Sequence, residues 1–238
     1  MVPLRLNPTL DPDRLAAAYR PTRRLVIEDF LDEASAAALH RWATTTEDWR
    51  HILNGGEKVF EIPRAAYLAM PAAERDTLDQ AVTAAARTGF QYRYDSIRVE
   101  DDAAARAKRA TPLDAFAILM SAPETLALFG HVIGAPDLDF ADAQATAYRP
   151  GDFLTGHDDN VAGKGRRAAY VLGLTPAWRP EWGGLLLFHD GPRVDGIVPG
   201  FNRLSLFGVP QTHSVSSVAA AAAAPRYSIT GWLRVTTE

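Results

Sequence analysis

Cysteine is absent from the 238 residues. That removes disulfides, thiolate zinc sites, iron–sulfur clusters and a cysteine nucleophile at once. Any metal must therefore be held by imidazole and carboxylate. Lysine is nearly absent too: Lys58, Lys108 and Lys164 stand beside 22 arginines. With the alanine-rich tracts this reads as compositional bias and assigns no function. No stretch approaches the roughly 18 consecutive apolar residues that span a bilayer, so no membrane partner is expected. The opening MVPLRLNPTLDPDR lacks the apolar core of a signal peptide, and a cytoplasmic location is expected. Positive charge is not in excess either. A net charge of −4 argues against a nucleic-acid partner, which requires a basic surface.

The remaining composition, 47% apolar and 23% charged, is that of a chain able to build a core. At this length one domain over 1–238 is expected. The first half, about 1–135, reads as mainly helical support with the first strands. A strand is predicted within 23–30, and Asp32 caps a helix to about Thr45, with Ala36, Leu39 and Trp42 or Ala43 on one face. Asn54-Gly55-Gly56 marks a hairpin in 51–62. Pro71 opens a helix bearing Leu78, Val82 and Ala85 and stopped by Gly89. Residues 90–99 alternate aromatic and polar, as a strand does. Helices are predicted at 112–121 and 123–133, the latter closed by Gly134.

From 136 to 238 the texture changes. Short runs at 141–148, 167–175, 184–188, 202–209 and 227–235 alternate with Gly/Pro/Asn turns, suggesting an antiparallel sandwich or barrel. Helices followed by strands give an α+β class. The alanine run 219–224 reads as a loop or a short helical turn without a chemical role.

Six histidines are the metal and acid–base candidates. His40 and His131 fall in predicted helices and His189 in a turn, and all three read as structural or incidental. His51 follows Trp49-Arg50, and nothing singles it out. His157 differs because it begins His157-Asp158-Asp159. In an extended segment residues i and i+2 share a side, so His157 and Asp159 converge while Asp158 faces away. Alone, H-x-D carries no weight, since six His and 19 Asp give about half of one by chance. Residues farther along the chain supply the weight. His213 lies in Pro210-Gln211-Thr212-His213-Ser214-Val215, after an apolar strand. Arg226 then opens a strand on which parity puts Arg226, Ser228, Thr230 and Trp232 on one face and Tyr227, Ile229 and Leu233 on the other. An arginine on a polar inward face suits a carboxylate, which its planar fork binds through two hydrogen bonds.

The ordered motifs H-x-D, W-G-G, P-x-F-N-R-L-x-L-F, T-H-S-V and R-Y-S-I-T-G-W-L resemble the Fe(II)/2-oxoglutarate dioxygenases, more narrowly their prolyl-hydroxylase-like branch. The resemblance covers about 141–235. It implies a double-stranded β-helix (jelly-roll) barrel with supporting N-terminal helices, and Fe(II), 2-oxoglutarate and O₂, with ascorbate as an optional reductant. It also implies that His157, Asp159 and His213 ligate the metal and that Arg226 binds the distal carboxylate of 2-oxoglutarate. Tyr148 matches a tyrosine that hydrogen-bonds the co-substrate, and Thr230 and Trp232 match pocket-lining positions. The implied reaction is hydroxylation of an unactivated C–H bond, with release of succinate and CO₂. A prolyl residue in a protein or peptide is favoured as substrate over a free amino acid or other small molecule. Two departures stand out: Leu185 follows the double glycine where relatives often carry Glu, and Gly173 stands where some carry a second co-substrate tyrosine, with Tyr170 out of phase. Readings from other classes are a catalytically silent β-barrel binding module and a cupin-type metal hydrolase or isomerase. The hairpin 51–62 and the strand 90–99 are expected to border the active site, yet Trp49, Arg50, Asn54, Arg64, Tyr92 and Arg93 point to no one compound, and neither the substrate nor the oligomeric state is legible.

Overall fold

The computed structural model describes residues 3–56, 58–100 and 102–236. In chain order the first half runs α1 (Pro12–Tyr19), β1 (Arg24–Ile27), α2 (Glu33–Thr45), β2 (Arg50–Gly55), β3 (Lys58–Pro63), α3 (Arg64–Ala69), α4 (Ala72–Ala85), β4 (Tyr92–Arg98), α5 (Ala103–Arg109), α6 (Pro112–Met120) and α7 (Pro123–Ile133). The second half runs β5 (Phe140–Ala141), β6 (Gln144–Tyr148), β7 (Phe153–His157), β8 (Arg166–Leu174), β9 (Leu186–Asp190), β10 (Arg193–Ile197), β11 (Phe201–Gly208), β12 (His213–Val215) and β13 (Arg226–Arg234). The expected elements are present. Three helices were not expected: α1, α3 and α5.

Local chemistry sets several boundaries. The Asp32 carboxylate accepts the Ser35 N–H and starts α2. At α6, Thr111 and Asp114 cap reciprocally. Gly134 ends α7 at φ 72°, a left-handed conformation that glycine adopts without a Cβ penalty.

The strands form one antiparallel sheet in the order β1-β11-β8-β13-β6-β4-β7-β12-β9-β10, with the β2–β3 hairpin added at β4. The sheet curls over itself. Leu186 and Phe188 of β9 share a cluster with Ala169 of β8 and Phe207 of β11, strands far from β9 in the hydrogen-bonded order. Residue parity decides the two faces. Tyr170, Leu172, Leu174, Leu204, Leu206, Ile229 and Leu233 turn outward onto α2, α6 and α7, where Leu39, Phe116 and Phe129 complete the main core. Their neighbours on β8 and β13 turn inward. Among the described residues no single helix is long and apolar enough to cross a membrane, and the bent pair α6–α7 buries Phe116, Met120 and Phe129 in the core.

Gly173 has a steric explanation. A Cβ there would overlap the Gly200 carbonyl, so the segment before β11 passes where a tyrosine would begin. Tyr170 lies on the outer face, where its hydroxyl donates to the Asp142 carbonyl at 2.6 Å.

Candidate metal and 2-oxoglutarate site

The strands that curl over one another place His157 at the end of β7 and His213 at the start of β12, paired in register. Asp159 follows two residues after His157. The structure brings His157 and Asp159 together, but not by the strand parity that the sequence suggests. β7 stops at His157, and Asp159 adopts φ 62°, so a left-handed turn, not strand parity, swings the carboxylate back. Asp158 is exposed, and its carboxylate accepts the Asn160 N–H at 2.9 Å.

Each imidazole is held by the carbonyl two residues upstream. Nδ1 of His157 lies 3.0 Å from the Thr155 oxygen, and Nδ1 of His213 lies 2.8 Å from the Gln211 oxygen. A carbonyl only accepts, so both Nδ1 atoms carry the proton and both Nε2 atoms present lone pairs. Those lone pairs face one carboxylate: His157 Nε2 is 3.5 Å from Asp159 Oδ1, and His213 Nε2 is 3.4 Å from Oδ2. Three bases converging this way repel one another unless a cation lies among them. One ligand atom from each residue lies within 4.8 Å of the others. Two neutral imidazoles and one carboxylate form the donor set of a non-haem iron facial triad, so these residues fit Fe(II).

The surrounding electrostatics agree. Burial, and then the neighbouring His157, push His213 down to about 4, which leaves it neutral near pH 7. Burial alone would raise Asp159, but the two imidazoles outweigh it and hold the carboxyl below its usual range. The Trp232 indole N–H contributes to that lowering from outside strict hydrogen-bond geometry. Arg166 donates from Nη1 to the Asp159 carbonyl at 3.1 Å and lies 3.6 Å above the Trp232 ring.

The triad opens into a cavity of about 450 Å³, inside the range of small-ligand sites. Arg226 lies on its wall, 4% exposed, with Nε and Nη1 buried and without a hydrogen-bond partner. Burial lowers its pKa. A buried, unpaired guanidinium requires an anion. Tyr148 pairs with Arg226 across β6 and β13, and the guanidinium carbon lies 5.2 Å from its ring centroid. Burial raises the Tyr148 hydroxyl well above its ordinary pKa, so it remains a donor. Thr230 and Trp232 line the same cavity, as parity requires.

The strand 90–99 borders the cavity as expected and brings Tyr92 to it, but the sequence reading did not single out Phe90, Tyr94 or Thr146. Tyr94 stacks on Tyr148 at 5.0 Å, and Phe90, Tyr92 and Tyr94 form one face leading inward from His157. Their i, i+2, i+4 spacing was the available signal. Thr146, hydrogen-bonded to Ser228 at 2.8 Å, also faces the cavity. By contrast, Trp49, Arg50, Asn54, Arg64 and Arg93 do not line it. Trp49 packs in the main core, and Arg64 and Arg93 bind the buried carboxylates of Asp95 and Asp152.

Comparison with known proteins agrees with this geometry. Residues 143–234 match the family model of the 2OG-Fe(II) oxygenase superfamily. The mouse prolyl 3-hydroxylase OGFOD1 is 34% identical over 100 residues, covering 38% of this chain and 18% of that protein. The chain therefore matches only about a fifth of the length of this curated relative. The crystal structure of a Pseudomonas putida prolyl-4-hydroxylase superposes with a TM-score of 0.60 at 18% identity, covering 94% of this chain and 99% of that one. A Trichoplax adhaerens prolyl hydroxylase, solved with a hypoxia inducible factor peptide fragment, gives 0.60 at 18% identity over 94% and 88%. Residues 143–234, which hold the triad and Arg226, are thus similar to the 2OG-Fe(II) oxygenase superfamily, and the chain has the jelly-roll fold of solved prolyl hydroxylases.

Proposed function

We propose that the protein is an Fe(II)- and 2-oxoglutarate-dependent dioxygenase that hydroxylates a prolyl residue of a protein or peptide, releasing succinate and CO₂. The observation that carries this reading is Arg226, a buried and unpaired guanidinium in the same cavity as three converging metal-ligand atoms. A cupin-type hydrolase has no use for such an arginine, and a silent binding module has no use for the triad. The mouse and Trichoplax proteins support the prolyl substrate, the latter having been solved with a peptide.

The bound iron supplies the activation of O₂ by oxidative decarboxylation of the 2-oxo acid. The chain supplies the rest. His157, Asp159 and His213 would hold Fe(II) through two neutral imidazoles and one carboxylate. Arg226 binds the distal carboxylate of 2-oxoglutarate and sets its depth, while the Tyr148 hydroxyl donates a hydrogen bond near it. The aromatic face of Phe90, Tyr92 and Tyr94 keeps water from the cavity and offers the substrate an apolar approach.

The test is incubation of the Fe(II)-loaded protein with 2-oxoglutarate and a lysate of its native proteins. Succinate is quantified and peptides are searched for +16 Da on proline. A metal-loaded protein that never turns over 2-oxoglutarate sinks the proposal. Turnover with the oxygen found only on a free amino acid moves the substrate to the small-molecule class.

A further inference from the structure

Gln211 stands two residues before His213 on the loop joining β11 to β12, and all four of its polar groups are engaged. Its carbonyl accepts the His213 Nδ1–H. Its backbone N–H donates at 3.4 Å to the carbonyl of Asp158, the residue between the other two triad members. Its side-chain Oε1 accepts from Arg24 Nε at 2.7 Å, and its Nε2 donates to the Thr22 carbonyl at 3.2 Å. Arg24 is itself fixed on three sides. Its guanidinium lies 4.3 Å from the centroid of Phe188, whose ring is 6.3 Å from that of His213, and it pairs with Asp195 at 3.1 Å. Next to it, Arg23 donates to the Val209 carbonyl at 3.1 Å and binds the same loop two residues earlier.

We infer that Gln211 is the positioning residue of the triad, pinned by Arg24 and Thr22 so that the His213 loop and the His157–Asp159 turn keep a fixed spacing. The inference rests on the reading of the triad as a metal site. The loop between β11 and β12 is short, and its main-chain bonds reach both ligand segments, so a shift of Gln211 moves both at once. An amide suits the position because it offers a donor and an acceptor in one plane, as the Thr22 carbonyl and the Arg24 guanidinium require. Glutamate keeps only the acceptor and methionine keeps neither. Metal affinity then depends on β1, a strand that contributes no ligand. Outer partners of this kind typically govern metal affinity by about 10–100-fold.

The test is titration of the metal-free protein with Co(II), followed by visible absorption without 2-oxoglutarate, beside thermal melting of the same metal-free samples. Gln211→Met and Arg24→Met are expected to weaken Co(II) binding by about tenfold or more with altered absorption bands. Their metal-free melting should stay near that of the unsubstituted protein, and Gln211→Glu should recover part of the affinity. Unchanged Co(II) affinity in Gln211→Met overturns the inference. If that variant melts far lower, Arg24→Lys decides the matter, because it keeps the charge and loses the Nε donor: weakened binding supports the inference and unchanged binding overturns it. An unsubstituted protein that takes up no Co(II) overturns the metal reading and this inference with it.

Discussion

His157 and His213 are oriented by the same device, a hydrogen bond from Nδ1 to the carbonyl two residues upstream, and their ring centroids lie 4.2 Å apart. The backbone thus fixes both tautomers before any metal arrives. It also separates the roles of the two adjacent acids, since only Asp159 meets the free Nε2 atoms.

Alanine at His157, Asp159 or His213 is therefore expected to abolish Co(II) or Fe(II) retention and 2-oxoglutarate turnover. Asp158→Ala should keep most of both, losing only the cap on the Asn160 N–H. Metal content after loading and desalting, with succinate release, checks this. An inactive Asp158→Ala beside an active Asp159→Ala would reverse the ligand assignment.

Legibility differed between neighbouring parts of the chain for physical reasons. On β13 the alternation of Arg226, Ser228, Thr230 and Trp232 against Tyr227, Ile229 and Leu233 is a local pattern, and the sheet obeys it. Asp32 and Gly134 mark helix ends because capping is equally local. The left-handed turn at Asp159 left no trace, because an aspartate in that conformation looks like any other until its partners are placed. The hairpin was expected at the active-site mouth. It pairs instead with β4 through His51 and Asp95 and extends the sheet away from the cavity, a choice of edge that no local pattern encodes. Gln211 was invisible for the same reason, since Thr22 and Arg24 lie far away in sequence.

Tyr148→Phe removes a hydroxyl that burial keeps protonated beside Arg226. The loss of one hydrogen bond to a charged ligand, about 1.5–3 kcal/mol, predicts a rise of roughly 10–100-fold in the apparent constant for 2-oxoglutarate. Metal content should not change. Titration of 2-oxoglutarate at saturating iron measures it, and an unaltered constant removes Tyr148 from the co-substrate site.

Asp95 should couple stability to pH. It is fully buried, bound by His51 Nδ1 at 3.0 Å, Arg64 Nη1 at 2.7 Å and Arg149 Nε at 2.6 Å. Burial alone would raise its pKa, but the hydrogen bonds from His51 and Arg149 and the charges of Arg64 and Arg149 hold it below the ordinary 3.8. A depressed pKa contributes stability that is present above the unfolded value and lost as the pH falls through the folded one. Asp95→Asn should therefore cost about 2–4 kcal/mol at pH 7, leaving two arginines without their carboxylate. The gap between variant and parent should narrow only as the pH falls below about 4. Urea melts from pH 7 to pH 3 check the sign, and a gap that widens in acid contradicts it.

Arg226 decides between 2-oxoglutarate and every other use of the same triad. Its Nε and Nη1 are buried without partners, and its register neighbour Tyr148 leaves that side of the cavity without a carboxylate of its own. An unpaired buried charge costs several kcal/mol, so the fold carries this arginine at a penalty that a ligand anion relieves. Arg226→Lys keeps the charge but loses the planar fork, and weaker 2-oxoglutarate binding with iron retained is expected. Arg226→Ala removes a desolvated charged pair of roughly 3–4 kcal/mol, which corresponds to about two to three orders of magnitude in the apparent constant for 2-oxoglutarate. The folded protein itself should gain or hold stability, because the variant no longer buries an unpaired cation. Steady-state titrations, metal analysis and melting curves on the same preparations separate these effects. An Arg226→Ala protein with unchanged 2-oxoglutarate dependence would refute the clamp, and a loss of iron in that variant would show that the arginine acts on the triad instead.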